Sequence, residues 1–126
     1  MTFRPCTVAI VDDHPFFREV YARYLAGIGF TVMLEAGNGM ELLQSLEACT
    51  PLPEACILDV EMPILDGIAT AYALRERYPA IKVVVLTQSR DEAKKMRMLK
   101  AVALGVLFKG MDDVEMKEAL YDMLCN

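Results

Sequence analysis

The sequence predicts an α/β fold in which a parallel sheet is covered by helices on both faces. Five short apolar runs, rich in β-branched residues, alternate along the chain with segments of helical period. The runs lack polar residues at alternate positions, as expected for strands that are buried on both faces. Five successive strand–helix units predict right-handed crossovers, and hence a doubly wound (βα)5 three-layer sandwich.

The predicted strands are the five apolar runs themselves. They span Thr7 to Val11, Thr31 to Glu35, Ala55 to Leu58, Lys82 to Leu86 and Val106 to Phe108. For a flavodoxin-like sheet of this kind we expect the strand order 2-1-3-4-5. A ligand site is then expected beyond the carboxyl ends of the strands, where the order reverses.

The predicted helices fill the intervals between these strands. The first opens at Pro15, since proline suits the first helical position. An apolar stripe on this helix is expected to face the sheet; it consists of Phe17, Val20, Tyr21, Tyr24 and Ile28. The other helices are expected to begin after Asn38, at about Asp66, at about Asp91, and at Asp112 or Asp113.

Composition and charge exclude several classes of function. The 126 residues, 55% hydrophobic and 25% charged, fit one folded domain spanning 1–126. No apolar run approaches the ~18 residues that a membrane helix needs, and no signal peptide is recognised, so we expect a cytoplasmic location. The net charge of −5 argues against direct binding of nucleic acid. The four cysteines match no zinc pattern, and we expect buried or half-buried thiols.

Polar residues follow four of the predicted strands. Asp12 and Asp13 follow the first strand, Asp59 the third, Thr87 the fourth and Lys109 the fifth. Because the carboxyl ends of parallel strands meet at one edge of the sheet, these side chains should converge on one small pocket. Each residue alone is a weak signal, whereas their joint occurrence at four strand ends is a strong one.

Such a set of side chains suits phosphoryl chemistry. Three neighbouring carboxylates repel one another unless a cation lies among them, and Mg²⁺ prefers oxygen ligands of this type. A carboxylate can also attack phosphorus to give an aspartyl phosphate. Lys109 would neutralise charge on the transferred group and Thr87 would donate a hydrogen bond to it.

Four segments carry motifs that are specific in this setting. They are Val11-Asp12-Asp13-His14-Pro15 with Arg18, the string D-V-E-M-P-I-L-D-G from Asp59 to Gly67, Val83 to Thr87, and Phe108-Lys109. In these segments the chain resembles the receiver domain of bacterial two-component response regulators, over nearly its whole length. The D-D-H-P opening resembles most the subfamily that carries a C-terminal helix-turn-helix output domain.

The resemblance implies a role for each matching residue. Asp59 would be the phosphoacceptor, and Asp12, Asp13, Asp59 and the backbone carbonyl of Glu61 would bind Mg²⁺. Lys109 would pair first with Asp59 and then with the phosphoryl group. The implied partners are a sensor histidine kinase, a C-terminal DNA-binding output domain absent from this chain, and a second copy on phosphorylation. Such a module promotes its own phosphorylation and dephosphorylation and has no other substrate.

Three positions depart from the family pattern. Val106 stands where an aromatic residue that moves on activation is usual, Gly110 where a proline usually follows the lysine, and Gln88 where a small residue is usual. We expect a trans peptide bond after Lys109. These departures concern the switching mechanism and the phosphoryl lifetime, and they leave the phosphoacceptor assignment intact.

Alternatives remain at this point for both the function and one residue. A stand-alone receiver acting through protein contacts fits the same sequence, whereas a phosphotransferase of the haloacid dehalogenase type would need a D-x-D pair. A flavodoxin-like flavin binder would need a phosphate loop where the acidic Asp12-Asp13 pair lies. His14 could be a phosphoacceptor or a metal ligand; we expect a surface residue at the helix entrance, near the pocket rim.

Overall fold

Five parallel strands form the sheet of the protein. The computed structural model describes residues 6–62, 66–88 and 93–125. Its strands are β1 (Thr7–Val11), β2 (Thr31–Ala36), β3 (Ala55–Asp59), β4 (Lys82–Thr87) and β5 (Gly105–Phe108). They lie in the order β2-β1-β3-β4-β5, which confirms the predicted topology. Each observed strand agrees with its prediction to within one residue at either end.

Five helices connect and follow the strands: α1 (Pro15–Gly27), α2 (Gly39–Glu47), α3 (Gly67–Arg77), α4 (Ala93–Val102) and α5 (Asp113–Leu124). Short polar side chains cap three of them, because the first backbone N–H groups of a helix lack partners within it. Asn38, Asp66 and Asp112 accept hydrogen bonds from the first turns of α2, α3 and α5. The predicted start of α4, Asp91, lies outside the described residues.

The helices divide the core into two halves, one on each face of the sheet. On one face the apolar side chains of α2, α3 and α4 pack together with Ala9, Val11 and Val85. On the other face α1 and α5 pack on Val8 and Ile10. Alternate residues of each strand thus enter opposite halves of the core, as expected for strands that are covered on both sides.

The buried stripe of α1 differs from the prediction. Phe17 and Val20 are 48% and 45% exposed, whereas Leu25, which the predicted stripe omits, is only 2% exposed. The side chains of Tyr21, Tyr24 and Ile28 are partly buried against the core, as predicted. The helix therefore buries its apolar side chains mainly in its second half.

Two tyrosines connect α1 with α5 across nearly the whole sequence. The Tyr24 hydroxyl donates a hydrogen bond of 2.6 Å to the backbone carbonyl of Asp113, at the start of α5. The Tyr121 hydroxyl donates one to the backbone carbonyl of Ile28, directly after α1. The C-terminal end of α1 is thereby joined to both ends of α5.

The cysteines follow their prediction with one exception. Cys6 and Cys56 are buried and Cys49 is half-buried, but Cys125 is exposed. None of the four, all of which lie in the described part of the chain, forms a disulfide. Burial raises the pKa of the Cys56 thiol to about 12, so this thiol stays protonated.

Among the described residues, no helix is both long and apolar enough to cross a membrane.

Candidate functional site

Three carboxylates meet at the carboxyl end of the sheet. Asp12 and Asp13 directly follow β1, and Asp59 is the last residue of the neighbouring strand β3. Asp12 and Asp59 are each only 1% exposed. One potential ligand atom from each of the three, and one from His14, all lie within 4.8 Å of one another. The convergence expected from the strand ends is therefore present in the structure.

Several oxygens of these carboxylates have no hydrogen-bond partner. Asp12 Oδ1 accepts a bond of 2.9 Å from the backbone N–H of His14, and Asp59 Oδ1 accepts one of 3.1 Å from the backbone N–H of Glu61. Asp12 Oδ2, Asp13 Oδ1 and Asp59 Oδ2 are buried and accept no hydrogen bond from any residue that the structure describes. Buried polar atoms are normally satisfied, and hard carboxylate oxygens are the ligands Mg²⁺ prefers, so this donor set fits a magnesium ion.

Lys109 forms an ion pair with Asp59. Its Nζ lies 2.9 Å from Asp59 Oδ1, and both side chains are largely buried. Burial would lower the pKa of the Lys109 ammonium, but the hydrogen bond and the charge of Asp59 outweigh it, and the pKa is raised above its ordinary value. The ammonium is therefore charged at neutral pH and remains beside the Asp59 carboxylate.

The Asp59 carboxyl is less acidic than an ordinary aspartate. Burial raises its pKa to about 6, because the charged form loses contact with water. Lys109 acts in the opposite direction through its hydrogen bond and its charge, while the negative charge of Asp12 adds to the rise. At neutral pH Asp59 is mostly ionised, and it is more basic than an exposed carboxylate.

Thr87 and Glu61 are joined at the rim of the same site. The buried Thr87 hydroxyl donates a hydrogen bond of 3.2 Å to the Glu61 carboxylate, Oε1. The sequence analysis assigned Glu61 a role only through its backbone carbonyl, and so missed this side chain. The available signal was its position, two residues after Asp59 at the edge where Thr87 ends β4.

His14 lies directly against the acidic cluster. It is the N-cap residue of α1, its side chain is 62% exposed, and this agrees with the expected place at the rim. Its Nδ1 lies 3.1 Å from Asp13 Oδ1 and 3.7 Å from Asp12 Oδ1. The imidazole therefore faces the carboxylates and is close enough to bind the same metal ion as they do.

A side-chain hydrogen bond fixes the backbone at Asp12, and a close contact with α3 fixes it at Asp59. Arg18 Nη1 donates a hydrogen bond of 2.8 Å to the backbone carbonyl of Asp12. A Cβ atom at Gly67 would lie 2.5 Å from the backbone oxygen of Asp59, so only glycine allows α3 to start this close to β3. The loop residue Pro63, which the sequence motif includes, lies outside the described residues.

The structure describes all three positions that depart from the family pattern. Val106 is half-buried and lines an apolar groove of about 400 Å³ between α4 and β5, together with Met96, Lys100 and Phe108. Gln88 is exposed. Within the described residues the only cis peptide bond joins Thr50 to Pro51, so the peptide after Lys109 is trans, as expected.

The structure thus brings Asp12, Asp13, Asp59 and Lys109 together, with Thr87 at the rim. The roles of these residues, and the use of the Glu61 carbonyl as a ligand, stay predictions. Beyond the predicted set, the site includes the Glu61 carboxylate and the imidazole of His14.

Comparison with known proteins identifies the class of this protein. The chain matches the family described as response regulator receiver domain over residues 8–121. The matched segment runs from β1 into α5 and contains every residue of the site. The chain therefore belongs to the receiver domain family of two-component response regulators.

Individual relatives agree with this assignment. The chain is 34% identical over 114 residues to the transcriptional regulatory protein DegU of Brevibacillus brevis, covering 90% of this chain and 48% of DegU. It is 33% identical over 121 residues to the nitrate/nitrite response regulator protein NarL of Escherichia coli K12, covering 93% and 54%. The receiver domain of a putative NarL from Mycobacterium tuberculosis superposes with a TM-score of 0.83, at 30% identity and 98% and 99% coverage. The chain spans about half the length of these curated relatives.

Proposed function

We propose that this chain is a signalling switch that accepts a phosphoryl group from a sensor histidine kinase on Asp59. The observation that supports this most is the buried Asp59 carboxylate, paired with Lys109 at 2.9 Å and adjacent to two further carboxylates with unsatisfied oxygens. Phosphoryl transfer needs mainly positioning and the neutralisation of charge, and this pocket supplies both.

The Asp59 carboxylate is the nucleophile. One of its oxygens forms a bond to phosphorus while the bond from phosphorus to the donor breaks, and the donor leaves with that electron pair. A pKa of about 6 keeps the carboxylate ionised at neutral pH and more basic than an exposed aspartate. Asp12, Asp13, Asp59 and the Glu61 carbonyl would hold Mg²⁺, which when bound supplies positive charge against the phosphoryl oxygens.

Lys109 and Thr87 respond to the new group. The Lys109 ammonium, already beside Asp59, exchanges part of this contact for the phosphoryl oxygens. The Thr87 hydroxyl leaves Glu61 and donates to a phosphoryl oxygen instead. This exchange of partners gives the phosphorylated and unphosphorylated forms different contacts, which a conformational switch requires.

The signal would control transcription through a further part of the protein. The relatives are named as transcriptional and response regulators and are about twice as long as this chain. We propose a C-terminal DNA-binding output domain, dimerisation on phosphorylation and a cytoplasmic location. The receiver itself would not touch nucleic acid, because its net charge is −5. It would act on no substrate apart from its own phosphoryl group.

The direct test is phosphorylation by a small donor. With Mg²⁺ and acetyl phosphate, mass spectrometry of the intact protein should show the gain of one phosphoryl group, and Asp59→Asn should abolish it. Asp66→Asn is the matched control, because it removes a carboxylate at the N-cap of α3 while asparagine still caps. Equal labelling of the Asp59→Asn protein would show that the acceptor is another residue.

The role of Lys109 is tested separately. Lys109→Ala should slow phosphorylation by roughly tenfold or more, because one preorganised charge is removed from the reacting group. Lys109→Arg should rescue only part of the rate, since a planar guanidinium cannot replace a compact ammonium in a buried ion pair. An unchanged phosphorylation rate in Lys109→Ala would show that Lys109 takes no part in the reaction.

A further inference from the structure

We propose that His14 is a ligand of the divalent cation at this site. Because first-row transition metals bind imidazole readily, the site would favour such metals over Mg²⁺. The inference rests on the carboxylate cation site of the proposed function and extends it by a nitrogen ligand. Resemblance to the family assigned no such role to this residue, and the sequence favoured a surface position for it.

The backbone fixes His14 at the mouth of the cluster. Its N–H donates a hydrogen bond of 2.9 Å to Asp12 Oδ1, so the residue is tied to a carboxylate of the site. Although His14 is the N-cap residue of α1, its side chain makes no capping hydrogen bond. The ring packs edge-on against Phe17, with centroids 5.8 Å apart. The imidazole therefore packs against α1 through Phe17 but does not cap the helix.

The distance between His14 and Asp13 fits two ligands at adjacent coordination positions of one metal ion. Metal–nitrogen and metal–oxygen bonds of about 2.1 Å place neighbouring ligands of an octahedral ion about 3 Å apart. His14 Nδ1 lies 3.1 Å from Asp13 Oδ1, and that pair has no hydrogen-bond geometry. Potential ligand atoms of His14, Asp12, Asp13 and Asp59 all lie within 4.8 Å of one another.

A second observation points independently to a cation. Asp12 Oδ2 and Asp59 Oδ2 belong to side chains that are only 2% and 1% exposed, and neither oxygen accepts a hydrogen bond from any described residue. Buried carboxylate oxygens without partners are costly unless a positive charge lies between them. These oxygens favour a bound cation on grounds that do not involve His14, and His14 would decide which kind of cation binds.

The ligand chemistry decides the preference. Carboxylates and carbonyls alone suit Mg²⁺, whereas imidazole suits Co²⁺, Ni²⁺ and Zn²⁺, whose affinity for mixed nitrogen and oxygen sites exceeds that of Mn²⁺. Mg²⁺ gains little from a nitrogen donor, because it holds water and carboxylate more readily. The imidazole should therefore widen the affinity gap between Co²⁺ and Mg²⁺ at this site.

Calorimetric titration with Co²⁺ and, separately, with Mg²⁺ tests the selectivity. His14→Gln removes the ring nitrogen while keeping a polar side chain, and the ratio of Co²⁺ to Mg²⁺ affinity should fall at least tenfold. Asp13→Asn should weaken the binding of both ions, which places them at one site. An unchanged ratio in His14→Gln would falsify the inference. If the wild type bound neither ion and gained no phosphoryl mass, the proposed function itself would fail.

A spectroscopic measurement observes the bond directly. The chain contains a single histidine, so an imidazole nitrogen detected on a bound metal can only be that of His14 in a protein without an affinity tag. Electron spin-echo modulation of one equivalent of bound Cu²⁺ should show the remote imidazole nitrogen in the wild type. The same signal should be missing in His14→Gln. Its absence from the wild type would contradict ligation by His14.

Discussion

Thr87 cannot donate to Glu61 and to a phosphoryl group at the same time. Its hydroxyl carries one hydrogen, which the Glu61 carboxylate accepts at 3.2 Å in this structure. Binding of a phosphoryl mimic such as beryllofluoride must therefore break this bond. We predict that Glu61→Ala binds beryllofluoride several-fold to tenfold more tightly, because hydrogen bonds to charged groups contribute about 1.5–3 kcal/mol and this one is partly exposed. Titration monitored by amide chemical shifts measures the affinity.

A second variant separates the hydrogen bond from the charge. Glu61→Gln keeps an oxygen acceptor for Thr87 but removes the negative charge, which also acts on Lys109. If the hydrogen bond is the main restraint, Glu61→Gln should resemble the wild type more than Glu61→Ala does. Equal tightening in both variants would assign the effect to charge repulsion of the anion.

The raised pKa of Asp59 predicts how stability depends on pH without divalent cations. The folded carboxyl has a pKa of about 6 against an ordinary value of 3.8, so between these values the folded state binds more protons than the unfolded state. The free energy of unfolding must then fall as pH rises through this window. This is a cost of the apo site that a bound cation would relieve.

Comparison of the wild type with Asp59→Asn isolates the contribution of Asp59 to the pH dependence of stability. Urea unfolding in EDTA should show the wild type losing stability between pH 4 and pH 6.5 relative to Asp59→Asn, which cannot ionise at this position. Other titrating groups cancel in the difference between the two curves. Parallel curves would mean that Lys109 compensates the burial of Asp59 completely.

Single residues of the site were predictable to different degrees. Asp12, Asp59 and Lys109 follow from backbone topology alone, because parallel strands bring their carboxyl ends to one edge. The contact of Glu61 with Thr87 and that of His14 with Asp13 depend on side-chain rotamers and loop geometry. Neither is encoded in a periodic pattern, so the sequence could place these residues near the site but could not predict the two contacts.

The approach of α3 to β3 depends on one glycine. A Cβ atom at Gly67 would lie 2.5 Å from both the Asp59 oxygen and the Val60 Cα, which are backbone atoms and cannot rotate away. We predict that Gly67→Ala lowers the free energy of unfolding by about 1–3 kcal/mol, as overpacking does. It should also slow phosphorylation, because Asp59 would shift. Chemical denaturation and intact-mass labelling measure the two effects.

Gly27 provides the matched control. It is the last residue of α1, and a Cβ atom built there meets nothing within 4 Å. Gly27→Ala should be neutral or stabilise by up to about 1 kcal/mol, since it restricts the unfolded chain without a clash. A similar loss of stability in both variants would show that the close contact at Gly67 is not the cause.

Elements with a strong pattern were predicted well, and those decided by tertiary packing less so. The strands are apolar runs between turn residues, and their limits hold to within one residue. The stripe of α1 was partly wrong, because its apolar positions form two overlapping stripes. Tertiary packing decides that Leu25 is buried, whereas Phe17 and Val20 are largely exposed.

Cation binding should stabilise the whole molecule. An ion that binds the folded state alone stabilises it by about 2.7 kcal/mol at a concentration of one hundred times its Kd. We predict that the thermal midpoint of the wild type rises with Mg²⁺. The rise should be much smaller in Asp13→Ala, which lacks a carboxylate of the cluster. Differential scanning calorimetry measures both. An identical rise in the two proteins would exclude Asp13 as a ligand.

The hydrogen bonds that join α1 to α5 have a consequence for biosynthesis. α1 leaves the ribosome early, but α5 is the last of the five described helices to be made. It covers the same face of the sheet, accepts the hydrogen bond of Tyr24 at Asp113, and donates that of Tyr121 to Ile28. Until then the apolar face containing Val8 and Ile10 lacks half of its cover. Nascent chains halted before Asp113 should therefore be open to proteases and chaperones. Protection should come abruptly, once α5 has emerged from the exit tunnel.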